Sequence, residues 1–176
     1  MKKFVSALLA GMMSLSLVAC TSSNTSSTST ASSASTSEMK VAMITDSGEI
    51  TDKSFNQTTY EASKAWAESN GSQFKYYKPS GDSTDARVQA VETAISEGYN
   101  TIVMPGYLFA GTVINCAKNY KDVKFIALDC GEGDLLEAGV TAAGEKYDYN
   151  PANWDFKKYV DTSNVYCAVY QEELAG

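Results

Sequence analysis

Short apolar runs alternate with segments of helical period along residues 38–176. The spacing predicts strands at Met39–Thr45 (MKVAMIT), Gln73–Lys78 (QFKYYK), Thr101–Met104 (TIVM), Val123–Leu128 (VKFIAL) and Asn164–Tyr170 (NVYCAVY). Between them, residues 54–70 carry Phe55, Thr59, Ala62 and Trp66 on one predicted helical face. Ser54 and Gln57 have the spacing of a capping box, which starts that helix at Ser54. Residues 83–97 form a second helix with Val88, Val91 and Ile95 inward, ended by Gly98. A third, over about 108–120, carries Phe109, Val113, Cys116 and Tyr120 on one side. Residues 131–163, with four glycines and Pro151, read as a long insertion of weak periodicity, and Glu172 onward starts another helix. Strand–helix alternation of this kind dictates right-handed βαβ units and an α/β fold, a doubly wound parallel sheet.

The first 37 residues are of another character. Lys2 and Lys3 precede an apolar stretch from Phe4 to Val18, shorter than the ~20 residues a membrane-spanning helix needs. That is the pattern of a secretory signal over residues 1–19. Its end, Leu17-Val18-Ala19-Cys20, resembles the bacterial lipobox, which implies lipid attachment at Cys20; cleavage near Ala19 that leaves a plain thiol is the alternative. Residues 20–37 then form a tether in which 14 of the 17 residues from Thr21 to Ser37 are Ser or Thr. Such a segment has nothing to bury and stays a coil, with a reach of roughly 20–25 Å. The folded body is therefore expected outside the cytoplasm, held at the membrane by its N-terminal lipid.

Composition removes several functions. The chain has no histidine, which excludes Ser-His-Asp and Cys-His triads and His-ligated metal sites. A net charge of −7 argues against nucleic acid as a partner and against charge-held binding to anionic lipid. No phosphate-loop, nucleophile-elbow or dinucleotide motif is present, so no catalysis, cofactor or metal is expected. Cys116, Cys130 and Cys167 are read as buried thiols, with a disulfide between two of them an option in an oxidising compartment. Gly131-Glu132-Gly133-Asp134 reads as turn chemistry, and the tyrosines at 147, 149, 159, 166 and 170 as packing within the insertion.

In a doubly wound sheet, ligands bind beyond the carboxyl ends of the strands, where strand order reverses. Three predicted strands end there in polar or glycine-rich turns: Asp46-Ser47-Gly48, Pro105-Gly106-Tyr107 and Asp129-Cys130-Gly131. Asp46 and Asp129 are candidate acceptors for a small ligand, though aspartate also caps βα turns. Gly106 would let backbone approach a ligand closely. Phe55, in the first turn of its helix, can seal the core edge or offer its face to a planar ligand. Asn56 and Gln57 can reach the same cleft.

The run Val41-Ala-Met-Ile-Thr-Asp-Ser-Gly-Glu-Ile-Thr-Asp-Lys-Ser-Phe-Asn-Gln57 closely resembles the opening motif of the basic membrane protein family, the PnrA-like substrate-binding lipoproteins of ABC transporters. Gly106-Tyr107-Leu108-Phe109, the YKDVKFIALD run ending at Asp129, and Asn164-Val165 with Glu172–Gly176 resemble further family passages. The resemblance implies the first lobe of a type I periplasmic-binding-protein fold, with a second lobe that this chain lacks. It also implies capture of a nucleoside, purine in kind, for an ABC permease and its ATPase. By the same resemblance Phe55 stacks on the base, Asp46 hydrogen-bonds the ligand, and Asn56, Gly106 and Asp129 line the cleft. Glu49-Ile50-Thr51 departs from the family's usual Gly-Gly-Ile-Asn, which leaves a sugar or signalling ligand as an alternative. A surface lipoprotein with an interaction role and no transport is the other.

Overall fold

The computed structural model describes residues 38–170; the expected signal, the lipid site at Cys20, the tether and the helix from Glu172 lie outside them. Five strands, β1 (Lys40–Ile44), β2 (Gln73–Tyr77), β3 (Thr101–Pro105), β4 (Lys124–Leu128) and β5 (Val165–Ala168), form one sheet in the order β2-β1-β3-β4-β5. Every pairing is parallel, with Met43 against Tyr76 and Val103, Ile102 against Phe125, and Ala127 against Cys167. The interior strands β1 and β3 are apolar at nearly every position because helices cover both faces of a parallel sheet. The fold is therefore α/β and doubly wound, as the alternation dictates.

Ala42, Ile44, Ile102, Met104, Phe125 and Ala127 point to one face, where α2 (Thr84–Ser96), α3 (Ala110–Ala117) and α4 (Glu132–Ala142) close the main core. Val41, Met43 and Val103 point to the other, against Ala67 and Tyr60 of α1 (Phe55–Ser69). The edge strand β2 is mostly exposed and carries lysine at 75, a charge that discourages further strand pairing. Asn164 fixes the start of β5: it is buried, and its Nδ2 donates to the carbonyls of Tyr120 and Val123, each at 2.9 Å.

Several elements depart from the pattern read in the sequence. The stretch 131–163 is no irregular insertion, because α4, a 3-10 turn at Pro151–Asn153 and a short α5 (Phe156–Tyr159) occupy it. Gly131 through Asp134 is not a turn but the helix start, where Asp134 Oδ2 accepts from the Gly131 N–H at 2.7 Å. Gly139 marks a packing point: a Cβ there would stand 2.7 Å from the Tyr159 carbonyl oxygen. The inward face of α1 is Asn56, Thr59 and Ala67, whereas Ala62 and Trp66 are exposed.

Among the tyrosines, Tyr147, Tyr149 and Tyr159 do pack around Trp154 in one ring cluster. Tyr166 and Tyr170 do not belong to it. Cys116 and Cys130 are buried, but Cys167 is exposed, since β5 is an edge strand with little cover.

Candidate functional site

The strand order makes β1 and β3 the switch point, because the crossover from β1 runs to one side and that from β3 to the other. Asp46 leaves β1 and Gly106 leaves β3 at that point, while Asp129 leaves β4 next door. Phe55 opens α1 beside them, half-buried, and Tyr170 beyond β5 meets its ring edge-on with centroids 6.4 Å apart. Five residues far apart in sequence thus share one rim. Tyr170 thus packs at the rim and not within the insertion, and its place just past the last strand is the signal for that position.

The loop between β1 and α1 is ordered by its own carboxylates. Asp46 Oδ1 accepts from the backbone N–H of Ser47 and of Gly48, both at 2.5 Å, and from Asn56 Nδ2 at 2.9 Å. Asn56 returns the contact, its Oδ1 accepting from the Asp46 N–H at 3.2 Å, and its Nδ2 also donates to Asp52 Oδ2 at 3.0 Å. The side chain of Asn56 is buried and turned onto these two aspartates. Gly48 is required beside it, since a Cβ there would fall 2.6 Å from Asn56 Nδ2.

Helix α1 starts where the capping spacing places it, but by other means. Ser54 makes no side-chain capping bond; Asp52 takes that part, accepting from the N–H groups of Ser54 at 2.8 Å and Gln57 at 3.1 Å. Gln57 Oε1 instead accepts from the Lys53 N–H, holding Lys53 at a φ of +56°. Burial alone would raise the Asp52 carboxyl, but the hydrogen bonds from Asn56, Ser54 and Gln57 outweigh it and hold it below the ordinary carboxylate range. Its position before the helix also complements the positive end of the backbone dipole. Glu49 is drawn to Lys78 past the end of β2, an exposed ion pair that ties the loop to the neighbouring crossover.

The other rim turns hold unusual backbone. Gly106 has φ +110° and opens onto empty space, with no atom within 4 Å of a Cβ placed there. Asp129 sits at φ +53°, its N–H donating to the Ala168 carbonyl at 2.7 Å, which directs the chain sharply out of β4. After Gly106 the chain passes a 3-10 turn to Phe109, which is fully buried under the guanidinium of Arg87, 5.6 Å from its ring centre. Arg87 is itself buried and paired with Asp82. The rim therefore combines an exposed glycine turn, two carboxylates and an aromatic ring, which suits the binding of a planar polar molecule. Among the described residues no group of acidic and cysteine side chains could hold a metal ion, and no helix is long and apolar enough to cross a membrane.

A concavity of about 630 Å³ lies on the sheet face beside α1 and reaches Leu128 at the end of β4. Met39, Trp66, Val103, Ile126 and Tyr166 line it, and none of the five rim candidates does.

Comparison with known proteins reaches the same region. Residues 39–146 match the family model Bmp, described as "ABC transporter substrate-binding protein PnrA-like". The ABC transporter nucleoside-binding protein BmpA of Lactococcus lactis is 28% identical over 97 residues, 53% of this chain and 27% of that protein. An uncharacterized lipoprotein of Pyrococcus abyssi is 28% identical over 128 residues, 72% of this chain and 30% of that protein. The chain thus spans less than a third of these relatives' length. A lipoprotein fragment from Peptoclostridium difficile 630 shares the fold at a TM-score of 0.50 and 16% identity, covering 76% of this chain and 86% of that one.

Proposed function

The chain belongs to the Bmp family, the PnrA-like ABC transporter substrate-binding proteins, and from that premise we propose that it takes part in capturing a nucleoside, with a purine base, for an ABC importer. The family is one of substrate-binding proteins, which hold a small molecule and hand it to a permease without covalent chemistry. The observation that carries the nucleoside reading is the half-buried Phe55 at the start of α1, next in sequence to the Asn56 that bonds the Asp46 carboxylate at the switch point of the sheet. A flat base needs a ring face, and ribose hydroxyls need acceptors. In this reading Phe55 stacks on the base, Asp46 and Asp129 accept from the ligand, and Gly106 admits it close to backbone. Asn56 contributes by holding Asp46 rather than by reaching the ligand itself.

We further propose that residues 38–176 form one lobe, whose rim is one wall of a cleft that closes by hinge motion. Residues 1–19 would be the signal and Cys20 the lipidated anchor, with residues 20–37 as the tether to the membrane. Calorimetric titration with inosine, guanosine, adenosine and ribose tests the reading. Heat with the nucleosides and none with ribose supports it; ribose binding without nucleoside binding overturns it.

A further inference from the structure

Cys130 and Cys167 come from different strands yet meet. Cys167 pairs in register with Ala127, so its side chain points to the same sheet face as Phe125 and Ala127, the face of the main core. Cys130 belongs to that core, brought back toward β5 by the left-handed turn at Asp129 and the bond from the Asp129 N–H to Ala168. The two thiols lie within hydrogen-bonding reach of each other. Cys130 is wholly buried, whereas Cys167 is an exposed residue of the edge strand, so a reagent reaches Cys167 first. Cys116, buried in α3, is not part of the contact.

We propose that Cys130 and Cys167 are a dithiol pair that closes to a disulfide in an oxidising environment, fastening the Asp129 turn of the rim to β5. The oxidant is a low-molecular-weight disulfide. The Cys167 thiolate attacks one of its sulfurs, forming a mixed disulfide and releasing one small thiolate. The Cys130 thiolate then attacks the Cys167 sulfur and displaces the second small thiolate. Two protein thiols have lost two protons and two electrons, and the small disulfide has become two thiols. The bridge would close a loop containing α4, the 3-10 turn and α5. Burial first, then the negative charge around it, raises the Cys130 thiol to about 12, so the resolving step is slow near neutral pH. That the bridge is closed in the cell rests on the extracytoplasmic reading above; its formation in the purified protein does not.

The full chain, reduced and then equilibrated with a mixture of oxidised and reduced glutathione, is alkylated and mapped by peptide mass. The expected product is a Cys130–Cys167 linked peptide with Cys116 alkylated as a free thiol, unchanged in Cys116→Ser. Oxidation should raise Tm by roughly 5–10 °C, reversibly with reductant. Separate alkylation of Cys130 and Cys167, a glutathione adduct on Cys167 that never resolves, or a bridge to Cys116 or Cys20 overturns the proposal. A failure of nucleoside binding leaves this outcome untouched.

Discussion

Replacing Asn56 by alanine removes three hydrogen bonds at once. The Asp46 N–H loses its acceptor at 3.2 Å, and the carboxylates of Asp46 and Asp52 lose a shared donor at 2.9 and 3.0 Å. A bond to a charged group is worth about 1.5–3 kcal/mol where water is excluded. Asp46 is only half-buried and Asp52 is exposed, so solvent replaces part of each, and about 2 kcal/mol in all is the expected loss of stability. Urea unfolding followed by circular dichroism measures it directly. Asn56→Asp keeps the shape but sets a third carboxylate against the other two. It should be at least as destabilising at pH 7 and recover as pH falls through the carboxylate range. A loss below about 0.5 kcal/mol for Asn56→Ala, or wild-type stability for Asn56→Asp at pH 7, would mean that the loop is not ordered through this side chain.

Two further outcomes follow from the same packing. Gly139→Ala gains about 1 kcal/mol of helix propensity, but its Cβ meets the backbone carbonyl of Tyr159 at 2.7 Å, which cannot rotate away. A net destabilisation of about 1–2 kcal/mol is expected, read by thermal unfolding; a stabilised variant would show that α5 yields freely. Asp52 has its carboxyl lowered from the ordinary 3.8, so its contribution is present above that value and is lost as pH falls through the lower folded one. Protection of the Ser54 and Gln57 amides against hydrogen exchange, relative to their intrinsic rates, should therefore fall below about pH 3.8 before that of the sheet amides does, and simultaneous loss would contradict a local role for Asp52.

Much of this architecture is legible in the chain because strands buried on both faces must be short and apolar throughout, and β1 and β3 are. Helix α4 escaped for a specific reason: Gly133, Ala138 and Gly139 dilute its apolar face, and only Leu135, Leu136 and Val140 carry it. Gly139 lets α5 approach, so what reads there as loop composition is close packing. In α1 the pattern misled in the opposite way. Phe55, Ala62 and Trp66 share a helical face, yet the buried positions are Asn56, Thr59 and Ala67, because the helix serves the rim as well as the core. The rim positions of Asp46, Gly106 and Asp129 followed from strand ends alone. The part of Asp52, the nearness of Tyr170 to Phe55 and the meeting of Cys130 with Cys167 depend on tertiary geometry that no local pattern encodes.

A nucleoside is expected at the carboxyl rim of β1 and β3 and not in the apolar groove beside α1. Amide chemical shifts of the isotope-labelled chain, followed as inosine is added to millimolar concentration, test it most directly. Shifts should concentrate at Asp46, Ser47, Gly48, Phe55, Gly106 and Asp129, and fall at least tenfold in apparent affinity in Phe55→Ala, since one stacked base is worth roughly 1–3 kcal/mol. Shifts centred on Trp66, Ile126 and Tyr166, or a Phe55→Ala variant that binds as the wild type does, would contradict it.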